Sequence, residues 1–227
     1  MNRKIKFSIG EYYHIYNRGV EKRVIFQDEN DYKRFVFLLN IANSKEPLNI
    51  RHLKNNNQGL TFVNNKGQTL VCIGAWCLMP NHFHLLISEK IEGGTSLFLQ
   101  KLLTAYSMYF NKKYERKGSL FEGRFQAHHA NTDNYLKYLY SYIHLNPIKL
   151  IQSDWKDKGI KDFTKTTRFL KDYKYSSYFD YSDCDREEKN ILNKEVFPEY
   201  FESTEEFDNN LLGWLKFNPN QLDINRI

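Results

Sequence analysis

Two strand-like segments joined by a short turn constrain the fold of this chain more than any other feature. Residues 70–78, LVCIGAWCL, are apolar throughout, which is typical of a central strand covered on both faces. Pro80-Asn81 then turns the chain, and residues 82–88, HFHLLIS, predict a second strand. Because the connection is so short, the two segments are predicted to pair as an antiparallel hairpin.

The rest of the chain supplies further elements of both types. A run rich in Tyr and Ile predicts a strand at 11–18, and residues 125–130 predict another. Apolar residues at helical spacing predict helices at 28–44, 95–116 and 134–145. The first six elements follow the order strand, helix, strand, strand, helix, strand, which is the split βαβ arrangement of ferredoxin-like folds. We therefore predict an α+β fold, with an antiparallel sheet that carries helices on one face, followed by one more helix and a C-terminal extension.

Composition divides the chain into a main domain and an addition to it. A length of 227 residues suits one domain with a sizeable extension. Residues 1–150 hold the elements above and are predicted to form that domain, with an Asn-rich insertion at 47–68 away from the core. Residues 151–227 are the extension, which is acidic over 180–208.

The net charge of +6 hides an uneven distribution along the chain. Residues 180–208 hold eleven acidic and three basic side chains, a balance of −8, and residues 209–227 contribute +1, so residues 1–179 carry +13. Aromatic residues reach 16%, with 16 Tyr and 17 Phe. Cations neutralise phosphates and aromatic rings stack on bases, so this body suggests a polyanionic partner such as nucleic acid. Composition alone fits equally well a basic protein with many core aromatics.

Several classes of protein are excluded or disfavoured by the sequence. Three cysteines are few and odd in number, which argues against a disulfide framework and favours a reducing compartment. The N-terminal residues lack the apolar run of a signal peptide. The longest apolar stretch, residues 70–79, is too short to span a membrane. We expect a cytoplasmic protein without a membrane partner.

The sharpest local motif is His82-Phe83-His84 in the second strand of the hairpin. Residues two apart project from the same face of a strand, so both imidazoles point one way and Phe83 points the other. Two neutral imidazole nitrogens side by side suit one divalent metal ion. Two alternatives stay open: a pair of half-exposed histidines without a ligand, or a structural zinc site that also uses Cys77.

The helix predicted at 134–145 carries a stripe of three tyrosines, Tyr135, Tyr138 and Tyr142. A tyrosine phenol can attack phosphorus only when it is oriented and helped by a base or a metal. Asn146 lies one turn after Tyr142, where its amide oxygen could be a third ligand. Most tyrosine stripes are packed aromatic faces, and spacing alone does not select Tyr142 from its neighbours.

Taken together, these motifs resemble a known family. The segments LMPNHFHLLI at 78–87 and KGSLFEGRFQAHHANTDNYLKYLYSYIHLNPIK at 117–149 are similar to those of the REP-associated tyrosine transposases. Those proteins are relatives of the small single-strand insertion-sequence transposases in the HUH (His-hydrophobic-His) tyrosine nuclease group. Residues 13–26 resemble the first strand and turn of the family, and residues 174–181 resemble a short segment that many members carry. The likeness spans about residues 11–181 and has no counterpart for the insertion or the acidic tail.

The resemblance implies a function and the residues that perform it. His82 and His84 match the metal-binding pair of the family, Tyr142 its nucleophile and Asn146 its polar metal ligand. The implied activity is that of a metal-dependent single-stranded DNA endonuclease and strand transferase, which uses Mg²⁺ or Mn²⁺ and forms a 5′-phosphotyrosine intermediate on hairpin-bearing DNA. The implied partner is a repetitive palindromic DNA element, which makes the expected location nucleoid-associated. The wider group contains dimers, so the resemblance leaves a homodimer open.

Several basic residues are candidate phosphate contacts. Arg18, Arg124 and Lys149 are the DNA-binding candidates, with Arg124 favoured because a guanidinium makes bidentate phosphate contacts. Lysines on a helix surface, such as Lys112 and Lys113, are more often simply solvated. The alternative to an enzyme is a non-catalytic protein that binds single-stranded or hairpin nucleic acid.

Overall fold

A single sheet organises the computed structural model, which describes residues 5–48, 62, 69–182 and 185–216. The strands of the described residues are β1 (Tyr12–Arg18), β2 (Val71–Met79), β3 (His82–Glu89) and β4 (Gln126–His129). Their helices are α1 (Glu29–Ile41), α2 (Gly94–Lys113), α3 (Asp133–Leu145), α4 (Trp155–Lys158), α5 (Phe163–Asp172), α6 (Tyr178–Tyr181) and α7 (Thr204–Lys216). The strands lie in the order β2-β3-β1-β4 and each neighbouring pair is antiparallel, which confirms the predicted split βαβ fold and its hairpin.

Helices α1 and α2 cover one face of the sheet. The Asp28 side chain accepts a hydrogen bond from the backbone N–H of Asp31, and the Asp31 carboxylate accepts one from the backbone N–H of Asp28, so a capping box fixes the start of α1. Between these helices and the sheet, Phe83, Leu85 and Ile87 are fully buried. Each such apolar side chain contributes about 1.5–3 kcal/mol by leaving water, so this face is the main hydrophobic core.

Helix α3 lies on the opposite face of the sheet. Its apolar residues Leu136, Leu139 and Ile143 pack against Ala75 of β2 and Leu86 of β3 in a second, smaller cluster. The sheet is therefore covered on both sides. The residues of β1 and β3 that point toward α3 include the histidines singled out in the sequence.

Strand β2 is an edge strand, which corrects its predicted central position. Both of its faces are buried as expected, but its outer edge pairs with the C-terminal extension instead of another strand. The N–H of Leu78 donates to the carbonyl of Tyr175 at 2.9 Å, and the N–H of Ser177 donates to the carbonyl of Trp76 at 2.9 Å. Residues 174–181 thus satisfy backbone groups that an open edge would leave unpaired.

The extension packs against the end of α3. Trp155, Leu170 and Phe207 form a buried cluster with Leu145 and Ile148, which lie at and just after the last turn of that helix. The two parts are in continuous apolar contact, and the domain boundary at residue 150 stays a prediction. The arrangement places the first turn of the extension beside the C-terminal end of α3.

The acidic stretch lies mostly within the described residues, whereas the Asn-rich insertion lies mostly outside them. In the acidic stretch, the buried carboxylate of Asp180 pairs with Arg186 at 2.7 Å, so part of its charge is neutralised within the extension. The insertion predicted at 47–68 lies outside the described residues, apart from 47, 48 and Phe62. Among the helices that are described, none is long and apolar enough to cross a membrane.

Candidate functional site

The alternation of β3 separates its histidines from its core residues as predicted. His84 is buried on the face toward α3, whereas Phe83 lies in the core beneath α1 and α2. The ring centroids of His82 and His84 are 5.0 Å apart with the rings at right angles. The ring of Tyr142 stands edge-on to His84 at 5.5 Å, so α3 brings its tyrosine to the histidine pair.

Both histidines of the motif are neutral near physiological pH. Burial, with smaller contributions from Lys149 and Arg18, lowers the pKa of His82 to about 4. Burial and then the neighbouring His14 lower the pKa of His84 well below its ordinary value. A neutral imidazole keeps one nitrogen lone pair, which is the form that ligates a metal.

The hydrogen bonds of His82 define which of its nitrogens is available. Its Nδ1 lies 2.6 Å from the amide oxygen of Asn81, and the amide nitrogen of Asn81 donates to the carbonyl of Lys22 at 3.1 Å. Because an amide oxygen only accepts, Nδ1 of His82 carries the hydrogen. Its Nε2 therefore retains a lone pair.

His84 has a partner that the sequence analysis missed. Nε2 of His14 lies 2.9 Å from Nδ1 of His84, and the two rings stack with centroids 5.1 Å apart. His14 is buried, and that burial followed by the influence of His128 lowers its pKa to about 3, so it is also neutral. In the tautomer in which Nδ1 of His84 donates to His14, Nε2 of His84 is free as a ligand, an orientation device common around metal-binding histidines.

Contacts distinguish Tyr142 from the other tyrosines of its stripe. Its ring stands edge-on to His14 at 5.4 Å as well as to His84, whereas Tyr138 contacts Tyr142 at 5.8 Å and Trp214 at 5.1 Å. Burial raises the pKa of Tyr142, and the adjacent Asn146 side chain acts in the opposite direction. The phenol is thus protonated at neutral pH and lies beside the histidines.

The side chain of Asn146 is held with its oxygen unused. Its amide nitrogen donates to the carbonyl of Tyr142 at 2.8 Å, which fixes the orientation of the group. Its amide oxygen is buried and has no hydrogen-bond partner among the described residues. A buried acceptor left unpaired costs about 1–3 kcal/mol, a cost that a bound cation would remove. Two neutral imidazoles and this hard oxygen suit Mn²⁺, and the oxygen alone suits Mg²⁺.

A structural zinc site is the less favourable interpretation of the same residues. Cys77 lies opposite His84 across the β2–β3 ladder, but it is fully buried and burial raises the pKa of its thiol, which disfavours the thiolate that zinc requires. Within the described ranges, no three or more His, Cys, Asp or Glu side chains are grouped so as to hold a metal ion. A metal at this place would depend on the Asn146 amide.

The three basic candidates occupy different surroundings. Lys149 is half-buried near His82 and His84, and burial lowers its pKa. Arg18 lies opposite His82 in the β1–β3 ladder and forms an exposed ion pair with Glu122 at 2.6 Å. Arg124 is exposed in the turn that precedes β4. The structure therefore brings Lys149 and Arg18 to the histidines and leaves Arg124 at the surface.

Two side chains at the site were not singled out in the sequence. The signal for His14 was present, because the alternation of β1 puts its residue 14 on the face opposite the buried Tyr13 and Ile15. The second is Lys156, whose Nζ lies 4.6 Å from the centroid of the Tyr142 ring. It lies in the four-residue helix α4, which is too short to leave a periodic pattern.

The pair His128-His129 divides between the two faces. His128 lies 3.2 Å from the hydroxyl of Tyr16 and stacks near His14, on the face of the candidate site. His129 pairs instead with Glu11 at 2.6 Å. His128 is therefore the member of this pair that lies on the face of the candidate site.

Comparison with known proteins supports the resemblance drawn from the motifs. Residues 61–146 match the family described as "Transposase IS200 like", and this stretch contains His82, His84, Tyr142 and Asn146. The resemblance to the single-strand insertion-sequence transposases is confirmed over that stretch. A solved structure described as a REP-associated tyrosine transposase bound to a REP hairpin is similar at 12% identity and a TM-score of 0.42, covering 78% of this chain and 82% of that one. No curated protein matches the chain.

Proposed function

We propose that this chain is a DNA-nicking and strand-transfer enzyme, which cleaves single-stranded, hairpin-bearing DNA through a covalent bond to Tyr142. The match of residues 61–146 to the IS200-like transposases supports a transposase-like role in DNA processing. The observation that carries the finer proposal is the position of Tyr142, edge-on to the rings of His14 and His84 and one turn before the unpaired amide oxygen of Asn146.

His82, His84 and Asn146 are the residues that would hold a divalent ion, Mn²⁺ or Mg²⁺. Nε2 of His82 and the amide oxygen of Asn146 are ligand atoms that the protein's own hydrogen bonds leave unused, and Nε2 of His84 joins them when its Nδ1 donates to His14. When bound, the ion would supply Lewis-acid polarisation of the scissile phosphate. The remaining chemistry belongs to side chains of this chain.

Tyr142 is proposed to attack the phosphorus of the scissile linkage. A bond forms between the phenol oxygen and phosphorus while the bond from phosphorus to the 3′-oxygen breaks. The phenol loses its proton to solvent, and the released 3′-oxygen takes one up. Because burial raises the pKa of Tyr142, the proton leaves during the attack and not before it. Reversal by a different 3′-hydroxyl joins strands without any external energy source.

Lys149 and Arg18 are proposed to bind the DNA backbone next to the site. Lys149 is half-buried beside the histidines, where its ammonium can bind the phosphate that undergoes cleavage. Arg18 lies further out, paired with Glu122 on the exposed surface, and suits a flanking phosphate. Arg124, exposed before β4, is proposed to contact a more distant part of the strand.

Trapping of the covalent intermediate tests the proposal directly. A single-stranded oligonucleotide with a hairpin is labelled on the 3′ side of the cleavage site, because that fragment keeps the phosphate. With Mn²⁺, the wild-type protein is expected to shift the label on a denaturing gel, and EDTA is expected to abolish the shift. Tyr142→Phe removes the nucleophile and should lower adduct formation by at least about 1,000-fold.

The matched control for this test is Tyr138→Phe, one turn earlier on the same helix. It should form adduct close to the wild-type level, because Tyr138 contacts Tyr142 and Trp214 instead of the histidines. Adduct formation by Tyr142→Phe would contradict the assignment. Salt-sensitive binding of the hairpin by wild-type protein without any adduct would instead establish the non-catalytic alternative.

A further inference from the structure

The segment after the matched family region reaches back over the candidate nucleophile. Helix α4 is a single turn, and Trp155 at its start is buried in the apolar cluster beneath α3 and α7. That anchor fixes the next residue, Lys156, so that its Nζ lies 4.6 Å from the ring centroid of Tyr142. A basic side chain from outside residues 61–146 thus lies at the proposed site of chemistry.

Lys156 is a half-buried lysine that forms no ion pair within the described part of the chain. Neither Lys156 nor Lys149 forms a hydrogen bond or an ion pair with any described residue, although both are half-buried. By contrast, Lys158 on the same helical turn is exposed and pairs with Asp154 at 2.9 Å, and Lys113 pairs with Asp28 at 2.7 Å. Half-buried ammonium groups that interact with each other and have no counterion are suited to bind an anion.

The electrostatic surroundings of Lys156 agree with this picture. Burial and then the charge of Lys149 lower the pKa of Lys156 to about 8, while Asp157 acts weakly in the opposite direction. The geometric observation behind this picture is the position of Nζ of Lys156 over the ring of Tyr142. A phosphate beside the two lysines would give both ammonium groups a counterion.

We propose that Lys156 is a further catalytic residue, whose ammonium binds a non-bridging oxygen of the scissile phosphate above the Tyr142 ring. The inference rests on the proposed strand-transfer function and adds a residue from the C-terminal extension to its site. Negative charge on the non-bridging oxygens must be stabilised during attack, and a cation already in position there does so without reorganisation. Lys149 binds the same phosphate from the side of His82.

Variants of α4 separate this role from simple packing. Lys156→Met keeps the apolar stem against the Tyr142 ring and removes the charge, whereas Lys156→Arg keeps the charge. Lys158→Met removes an equal charge from the exposed side of the same turn and is the matched control. The readouts are the single-turnover rate of adduct formation on the hairpin oligonucleotide and, separately, the affinity for that oligonucleotide.

The expected result is specific to the charge at position 156. Lys156→Met should lower the single-turnover rate by roughly 100-fold, the usual size of losing one donor to a transition-state oxyanion. Lys156→Arg should recover most of that rate, and Lys158→Met should leave it unchanged. Equal rates for wild type and Lys156→Met would overturn the proposal, as would equal losses in Lys156→Met and Lys156→Arg, or equal losses in Lys156→Met and Lys158→Met.

A binding measurement keeps this inference distinguishable from the function on which it rests. In the Tyr142→Phe background, adding Lys156→Met should reduce the slope of log affinity against log salt by about 0.7, the value for one phosphate contact on a single strand. If the wild-type protein forms no adduct, strand transfer is wrong, and the anion site is judged by this slope alone. An unchanged slope then refutes the site, whereas a reduced slope supports it.

Discussion

The two faces of the sheet are built from the same strands and serve different ends. On the face toward α1 and α2, Phe83, Leu85 and Ile87 are fully buried in a continuous apolar core. On the face toward α3, the alternate positions hold His14 and His84, which are equally removed from water. Burial of apolar side chains on the first face stabilises the fold. Burial of polar side chains on the second face costs part of that free energy.

Hydrogen bonds between side chains hold the buried histidines of the second face in fixed orientations. His14 and His84 satisfy one another through a 2.9 Å hydrogen bond, and His82 is oriented by Asn81. The amide oxygen of Asn146 has no hydrogen-bond partner among the described residues, and the nearby Lys156 forms no ion pair with any of them. The apolar face supplies the rigidity that allows the polar face to hold these groups without collapse.

The difference between the two faces is tested most strongly by truncating two neighbouring residues of β3 that point to opposite faces. Phe83→Ala should lower the free energy of unfolding by about 3–5 kcal/mol, because it leaves a cavity in the core. His84→Ala should lower the free energy of unfolding by less, about 1–3 kcal/mol, because it leaves Nε2 of His14 without its hydrogen-bond partner. Chemical denaturation of the two variants measures both values.

Under conditions in which both variants are folded, the amount of covalent adduct should fall more in His84→Ala than in Phe83→Ala, which is the opposite of the order for stability. His84→Ala is expected to lose adduct formation and folded Phe83→Ala to retain it, because only His84 lies at the proposed site. A greater loss of stability in His84→Ala than in Phe83→Ala would contradict the division of labour between the faces.

A smaller effect should appear when the orienting partner of His84 is replaced. His14→Phe removes the hydrogen bond to Nδ1 of His84 and keeps a ring in the stack, so Mn²⁺ affinity should fall by roughly 10- to 100-fold. Titration of Mn²⁺ followed by electron paramagnetic resonance measures this without reference to catalysis. His129→Phe, which alters a histidine paired with Glu11, is the control and should leave Mn²⁺ affinity unchanged.

The pH dependence of the free energy of unfolding tests whether the polar face keeps His14 neutral. His14 has a pKa of about 3 in the folded protein against an ordinary value of 6.5, so the unfolded chain binds its proton first. Stability from this group is therefore complete above pH 6.5 and is lost as the pH falls from there toward 3. Each such histidine should contribute a slope of up to about 1.4 kcal/mol per pH unit in that window.

Denaturation curves collected across this window for wild type and His14→Phe measure the contribution of His14. The variant should lose stability less steeply as the pH falls, because one buried histidine no longer titrates. Parallel curves for the two proteins would show that His14 is not held neutral by the fold.

Much of the fold follows from local patterns in the sequence. The apolar run of β2, the Pro80-Asn81 turn and the His-Phe-His alternation of β3 predicted the hairpin and the division of β3 between two faces. Apolar residues at helical spacing predict a helix from residue 28, where Asp28 forms the capping box of α1. These features depend on contacts within a few residues, which is why periodicity and turn chemistry reveal them.

What the sequence could not decide depends on contacts between distant segments. An apolar strand has the same sequence pattern at the centre of a sheet and at an edge covered by another segment, so the pattern of β2 does not reveal its edge position. Only its hydrogen bonds to Tyr175 and Ser177 show that the C-terminal extension covers this edge. In the same way, three tyrosines at helical spacing are equivalent until the helix is packed, and only packing sets Tyr142 against His14 and His84.

The sequence by itself determined the order of elements, the face of β3 that carries both histidines, and the residue types available for chemistry. Only the tertiary structure decided which groups meet: His14 with His84, and Lys156 with Tyr142. The physical reason is that alternation and helical period specify direction within one element, whereas the distance between elements is set by how their buried surfaces fit together.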